Sequence, residues 1–161
     1  MTRINQIRAQ VLVFMAHKMG LPYFKMVRRK PSFPYTREEL AAMPEGSIGQ
    51  ELHRFFQANH LDLLPFYEKH DIKHVVLGYE ATEDGEVCLQ CFMLANGRCT
   101  IPVLIAVIYG VLTMPEYWSL FRKAWKRGRG NHSLRGLNWF DLIPQQQEDV
   151  RRRLLRSRYA A

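Results

Sequence analysis

The chain has 161 residues, 47% of them hydrophobic, and a net charge of +8 at pH 7. This length and composition predict one compact domain with its own hydrophobic core. The longest apolar run, residues 101–114, is shorter than the roughly 18 residues that a membrane-spanning helix needs, so we expect a core helix or an interfacial helix there.

The charges are distributed unevenly along the chain. Residues 1–30 contain seven Lys or Arg and no acid, residues 36–86 contain four basic and eleven acidic residues, and residues 122–161 contain eleven basic and three acidic residues. Basic ends suit phosphate, nucleic acid or lipid headgroups, and an acidic middle suits a cation. Solvated helix faces would produce the same distribution.

Nucleic-acid binding is the weakest of these functions. The sequence has no zinc-finger spacing and no strand motif of the RNA-recognition type, and we find no aromatic residues interleaved with its basic runs. We therefore predict that nucleic acid is not a partner.

The N-terminal segment, residues 1–35, has helical spacing of apolar residues at Ile4, Ile7 and Val11 and ends in a basic run at residues 28–30. An apolar face followed by cations is typical of a helix on anionic lipid. The alternative is a first core helix with a solvated tail. No small-residue cleavage site is present, so we expect no signal peptide, and the low serine content counts against a transit peptide.

Two capping boxes and one candidate N-cap divide the next part of the chain. Thr36 with Glu39, and Ser47 with Gln50, have the spacing of capping boxes, and each predicts the start of a helix. The second of these helices has an apolar stripe of Ile48, Leu52, Phe55 and Phe56. Asp62 is the predicted cap of a third helix, which runs through Leu63, Phe66 and Tyr67 to about Gly78.

Four further segments follow a turn at residues 83–85. We predict a helix from Glu86 to Ala95, a long helix from Pro102 to about Lys126 bent near Pro115, a basic glycine-rich loop at residues 126–136, and a final helix from Gln145 to Arg158. Residues 87–92 have a strand-like composition, but we predict helix there too. The predicted fold class is all-α: a single compact helical domain.

The three cysteines, Cys88, Cys91 and Cys99, invite a metal site because the first two form a C-x-x-C pair. A structural zinc site needs a fourth ligand and usually a second such pair, and only His132 lies downstream. We therefore interpret all three as buried reduced thiols, which weakly indicates a reducing compartment.

The run "HDIKHVVLGYEATEDGE", residues 70–86, contains the candidate site. On a helix, His74 lies about 40° and Asp71 about 100° around the axis from His70, so the three side chains share one face. A chain reversal at Gly78 would bring Glu86 over that face, which predicts a metal site between two helices. The set suits a divalent metal, zinc first, with manganese, iron, cobalt or magnesium as alternatives. The competing interpretation is a helix with a satisfied His–Asp pair.

This run resembles the H-D-x-x-H, eleven residues, E motif of the coenzyme Q (ubiquinone) biosynthesis protein 4 family, with His70, Asp71, His74 and Glu86 at the family's positions. Flanking stretches are also similar: "MPEGSIGQELHRFF" upstream, and "RGLNWFDLIPQQQEDVRRRLL" near the C-terminus. The resemblance covers residues 36–161, which would form the family core behind the basic segment 1–35.

The resemblance implies a peripheral membrane protein that binds a divalent metal through these four residues. Glu86 and Asp71 would be its catalytic residues. It implies oxidative decarboxylation at ring carbon one of a polyprenylated hydroxybenzoate, in which a hydroxyl replaces a carboxylate. Implied partners are this quinone precursor, an anionic membrane surface, other quinone biosynthesis proteins and a homo-oligomer. The implied location is the cytoplasmic side of a bacterial inner membrane, or the matrix side of the mitochondrial inner membrane.

Two functions therefore compete. In the first, the protein is a metal-dependent enzyme, and Glu86 moves a proton if it leaves the metal. In the second, it is a non-catalytic scaffold or lipid-binding protein that organises a biosynthetic complex and whose metal is structural.

Overall fold

The computed structural model describes Arg8 and residues 33–155. The predicted N-terminal helix on anionic lipid, and its alternative as a first core helix, lie outside the described residues. Within them all regular elements are helical, which confirms the all-α class. The seven α-helices are α1 (Arg37–Ala41), α2 (Ile48–Ala58), α3 (Glu68–Leu77), α4 (Glu83–Ala95), α5 (Ile101–Thr113), α6 (Trp118–Gly130) and α7 (Gln147–Leu154). Short 3₁₀ helices occupy Pro115–Tyr117 and Trp139–Leu142.

The first predicted capping box is confirmed in full at α1, where Thr36 and Glu39 each bond the other's backbone amide. At α2 only half of the second one forms. Ser47 Oγ accepts from the amide of Gln50, but the Gln50 side chain accepts from the amide of Gly46 instead of that of Ser47. Both helices therefore begin where the sequence indicated.

The predicted cap at Asp62 is wrong, and α3 begins later than expected. Tyr67 is the N-cap of α3 and makes no side-chain capping bond. Asp62 instead accepts a hydrogen bond from Arg37 at 2.7 Å, and Phe66 takes a left-handed backbone conformation that a continuous helix excludes. Leu63, Phe66 and Tyr67 consequently precede the helix.

α4 is the central helix of the described chain because it contributes to two hydrophobic cores. Leu89, Phe92 and Met93 face a larger core that also includes residues of α2, α3 and α7, together with the buried Trp139. Its other side faces a smaller core, formed by Val87, Cys88, Cys91, Met114, Phe121 and Ala124. The helix predicted here in place of a strand is confirmed, because both of its sides are buried at helical spacing.

The prediction of buried reduced thiols holds for two of the three cysteines. Cys88 and Cys91 are buried and free, and burial raises the pKa of Cys88 to about 12 and that of Cys91 to about 11. Cys99 is free but exposed, which corrects the expectation for that residue. It follows the end of α4 and therefore lies outside the two faces that α4 buries.

The predicted long helix is two helices. α5 ends at Thr113, and α6 resumes after Pro115–Tyr117 at an angle of 102° to it, so the break is confirmed but is far sharper than a bend. The expected basic loop is wrong at its start, because α6 continues to Gly130. Gly128 belongs to that helix because α6 lies so close to α4 that a Cβ there would be 2.3 Å from the Phe92 carbonyl oxygen.

The last helix and the membrane test complete the fold. α7 begins at Gln147, two residues later than predicted, and residues 156–161 lie outside the described chain. In the part that the structure describes, no single helix is long and apolar enough to cross a membrane. α5 and Pro115–Gly130 together meet those criteria by length and composition, but only as a bent pair.

Gly78 provides a test of how this fold is held. It terminates α3 with φ = +72°, a region that favours glycine, and a Cβ would lie 3.2 Å from Arg151 Nη2. We expect Gly78→Ala to lower the free energy of unfolding by about 1–2 kcal/mol. Urea denaturation followed by circular dichroism measures it.

Gly130→Ala is the matched control. Gly130 is also helical, but an added Cβ there meets nothing within 4 Å and its φ is not positive. Its replacement should leave stability unchanged or raise it by up to about 1 kcal/mol. Equal destabilisation by both variants would contradict the backbone argument.

Candidate metal centre

Three of the four predicted site residues meet between α3 and α4. His70 and His74 lie one turn apart on α3, and Glu86 comes from the first turns of α4. Their Nε2 atoms are 3.1 Å apart, and Glu86 lies 3.0 Å from His74 Nε2 and 3.2 Å from His70 Nε2. The predicted metal site between two helices therefore exists as a cluster of donor atoms.

The spacing of these donors matches a metal site. Within the described chain, His70, His74 and Glu86 are the group whose ligand atoms all lie within 4.8 Å of one another. In tetrahedral zinc coordination, with bonds of about 2.0–2.1 Å, neighbouring ligand atoms are about 3.3 Å apart. The observed separations of 3.0–3.2 Å are close to that value. Two imidazoles and one carboxylate leave a further coordination position for water or substrate.

His74 is held in orientation from two sides. Its Nδ1 lies 2.9 Å from the carbonyl oxygen of Tyr79, to which it donates, and this leaves Nε2 directed at the cluster. The Phe55 ring stacks on the imidazole at 5.5 Å with an interplanar angle of 23°. The side chain of His74 is 1% exposed, whereas those of His70 and Glu86 are 25% and 32% exposed. The cluster is thus anchored on a buried histidine and opens to solvent on one side.

The charges of the cluster are mutually dependent. Burial acts to raise the pKa of Glu86, but the two histidines outweigh it and hold that pKa well below its usual range. Burial acts to lower the pKa of His74, but Glu86 and the Tyr79 carbonyl outweigh it and raise the pKa. Burial dominates at His70 and lowers its pKa. A metal would compete with the shared proton, so its binding should weaken as pH falls.

Asp71 is not part of the converging group. It points about 100° away from His70 around α3, and it is buried in the protein interior with 8% exposure. Burial raises its pKa to about 7, against the opposing charge of His74. The expected fourth ligand is therefore a buried acid beside the centre, close enough to interact electrostatically with His74 and Glu86. The histidines pair with Glu86, so the alternative of a His–Asp pair does not describe this site either.

Long side chains from two other helices hold the carboxyl end of α3. Arg127 of α6 donates to the Leu77 carbonyl at 2.7 Å, and Arg151 of α7 donates to those of Val76 and Val75 at 3.0 and 2.7 Å. Cations are favourable at a helix C-terminus. These residues lie 50 to 76 positions from their partners, so periodicity and local motifs carry no signal for them.

No protein-family model matches the chain, and no curated protein matches it. Among solved structures, the chain is similar to a candidate ubiquinone biosynthesis protein from Nostoc punctiforme PCC 73102. The two share 24% sequence identity and superpose with a TM-score of 0.66, over 97% of this chain and 83% of the other. At this identity the similarity shows a common fold.

The first prediction concerns metal content. We expect His70→Ala and His74→Ala to lose most of the bound divalent metal, because each removes one of three donors. Metal per chain is measured on the purified proteins by plasma mass spectrometry. His132→Ala is the control, since His132 is exposed and outside the cluster. Wild-type metal content in both site variants would show that the cluster does not bind metal.

A second prediction concerns Arg127, which bonds the Leu77 carbonyl and lies over the Tyr79 ring at 5.3 Å. Loss of this contact should loosen the Tyr79 carbonyl that orients His74, so Arg127→Met should weaken metal binding up to about tenfold. Competition with a fluorescent zinc chelator measures the affinity. Arg122→Met, an exposed change on the same helix, should leave it unchanged. Equal effects of the two would refute a positioning role.

Proposed function

We propose that the protein is a metal-dependent protein of ubiquinone biosynthesis that acts on a polyprenylated hydroxybenzoate, with zinc as the first candidate metal. The convergence of His70, His74 and Glu86 carries this proposal. The family motif in residues 70–86 supports it, as does the shared fold of the Nostoc protein described as a candidate for the same pathway. The reaction would be C1 decarboxylation and hydroxylation, which makes the protein an enzyme.

The residues of the chain would divide the work as follows. A divalent metal held by His70, His74 and Glu86 would polarise the ring carboxylate or phenolate. Tyr79 keeps the His74 ring in place through its carbonyl. Asp71, whose pKa burial raises to about 7, is able to hold or release a proton near neutral pH. Glu86 comes from a separate helix and is the ligand best placed to detach and accept a proton.

The substrate accounts for two other features of the chain. A ring carboxylate is anionic and a polyprenyl tail is apolar, and both are served where basic residues adjoin exposed apolar ones. We therefore place the protein peripherally on an anionic membrane, on the cytoplasmic side in a bacterium or the matrix side in a mitochondrion. Other quinone biosynthesis proteins would act beside it there.

The alternative is a scaffold or lipid-binding protein with a structural metal. Exposed large apolar residues on α5 and α6 favour it, because scaffolds present such surfaces to partners. In that case removal of the metal would destabilise the pairing of α3 with α4, and any loss of turnover would be indirect.

Turnover by the purified protein separates these two functions. The assay mixes metal-loaded protein with a prenylated 4-hydroxybenzoate in detergent under air, since the exchange of carboxylate for hydroxyl also consumes a two-electron oxidant. It measures release of carbon dioxide together with the hydroxylated ring. Product formation that depends on both metal and oxygen supports the enzyme. Its absence from folded, metal-loaded protein favours the scaffold.

The third prediction assigns a role to Glu86. We expect Glu86→Gln to keep most of the metal and the fold, because both histidines remain and the side chain keeps its shape. It should nevertheless fail to support quinone synthesis in a cell that depends on this protein, because the amide cannot accept a proton. His74→Ala should lose the metal as well. Complementation and metal assays on both variants test this.

Two results would oppose that role. Full complementation by Glu86→Gln would show that neither proton transfer nor coordination by this carboxylate is essential. Metal loss as complete as in His74→Ala would make Glu86 a ligand without a separate catalytic part.

A further inference from the structure

The exposed apolar residues are concentrated on one pair of helices. Eight of the ten large hydrophobic residues that the described chain exposes belong to α5 and α6. These eight, which we call the apolar patch, are Ile101, Leu104, Ile108, Val111, Leu112, Trp118, Leu120 and Trp125. Contiguous exposure of this kind marks a surface that contacts another molecule.

On α5 the patch is a continuous aliphatic stripe. Its five residues, Ile101, Leu104, Ile108, Val111 and Leu112, lie within about 100° of one another around the helix axis. The buried residues of the same helix, Val103 and Gly110, lie on the opposite side. Leu112 is 75% and Ile108 is 56% exposed, so the stripe faces away from both cores.

On α6 aromatic and basic residues alternate along one stripe. Trp118, Arg122, Trp125 and Arg129 lie within about 60° of one another around the axis. The Trp118 indole nitrogen donates to the Val111 carbonyl at 2.8 Å, so this stripe joins that of α5. The alternation corrects the expectation that no aromatic residues interleave with the basic runs.

The charge of the helix pair is almost entirely positive. Residues 101–130 contain five basic residues and a single acid, Glu116. Arg8 makes an ion pair with that acid at the bend between the helices, so its negative charge is offset. Of the five cations, Arg127 is directed inward to the Leu77 carbonyl, whereas Arg122, Lys123, Lys126 and Arg129 are exposed.

We propose that α5 and α6 dock on an anionic lipid monolayer: the aliphatic stripe enters the acyl region, while Trp118 and Trp125 lie at headgroup depth with the basic residues of α6. Aliphatic, aromatic and cationic residues in this arrangement are the signature of an interfacial helix. The 102° bend suits it, because two helices at that angle present a wedge to one leaflet and not a span.

Charge selects lipid over a second copy of this chain. A two-fold interface through the patch would place the exposed cations of both copies close together, which costs free energy. The aliphatic stripe selects lipid over nucleic acid, because five aliphatic side chains offer nothing to phosphates or base edges. This inference deepens the membrane part of the proposed function and does not depend on the metal.

Vesicle flotation of the full-length protein tests the proposal, with phosphatidylcholine vesicles that contain or lack phosphatidylglycerol. The double variant Ile108→Glu, Leu112→Glu should reduce the partition coefficient at least tenfold, by an order-of-magnitude estimate, because both side chains lose their apolar burial. Leu61→Glu with Leu64→Glu is the matched control, since these are the two exposed leucines outside the patch. It should bind like the wild type.

The electrostatic part has its own pair of variants. Near an anionic surface each removed arginine lowers binding by about fivefold, so Arg122→Gln with Arg129→Gln should lose about 25-fold. Arg152→Gln with Arg153→Gln removes two exposed arginines from α7 and is the control. Added salt should weaken wild-type binding and largely erase the difference between the two pairs.

Several outcomes would overturn the proposal. They are equal binding to neutral and anionic vesicles, wild-type binding by the α5 variant, or loss of binding only when residues 28–30 become glutamine. A dimer in light scattering that the α5 variant dissociates would assign the patch to a second copy. Binding of single-stranded RNA that competes with vesicles would assign it to nucleic acid.

One further variant separates this inference from the proposed function. His70→Ala removes a metal donor but lies on α3, outside the patch, so it should bind anionic vesicles like the wild type. Loss of metal and turnover with vesicle binding intact leaves the docking surface standing. Loss of vesicle binding in this variant would refute a docking surface independent of the metal.

Discussion

The carboxyl end of α3 is the constraint on which the metal centre depends. A helix leaves its last carbonyl groups without intrahelical partners, and here Arg127, Arg151 and Gln147 satisfy those of Val75, Val76 and Leu77. The chain then reverses at Gly78, and Tyr79 returns its carbonyl to the His74 imidazole. The same short stretch therefore terminates the helix, holds three elements together and sets the orientation of the most buried donor.

The central position of α4 explains how a polar cluster coexists with a small core. Its apolar residues pack on both sides, against the larger core with α3 and the smaller core with α5 and α6. Glu86 lies near its amino end, where the helix dipole favours a carboxylate and where Thr82 caps the first turn. The cluster thus forms at the end of the core, where His74 is fully enclosed and Glu86 keeps contact with solvent.

α6 connects the metal centre with the proposed docking surface. One side of the helix packs on α4 and sends Arg127 to the end of α3, while another side carries the stripe of Trp118, Arg122, Trp125 and Arg129. An enzyme whose substrate has a polar ring on a long apolar tail benefits from this arrangement. The lipid surface and the reacting centre are joined by one rigid helix, so the position of one restricts the position of the other.

The sequence alone determined the features that depend on local spacing. The helical class, the caps at Thr36 and Ser47, and the shared face of His70 and His74 follow from periodicity and from hydrogen bonds within four residues. The family motif marked Glu86 as their partner. Local patterns failed at Asp62, where Arg37 provided a competing partner from an earlier helix, and at residues 126–130, where glycine served close helix packing.

Only the tertiary structure decided which groups work together. Asp71 shares the helix with both histidines, yet the core packing of α3 buries it and leaves its carboxylate out of the cluster. Tyr79, Phe55 and Arg127 acquire their roles through contacts made across the fold, and the most apolar stretch of the chain proves to be largely exposed. Composition records how apolar a segment is, but burial depends on which surfaces the rest of the chain covers, and no local pattern contains that information.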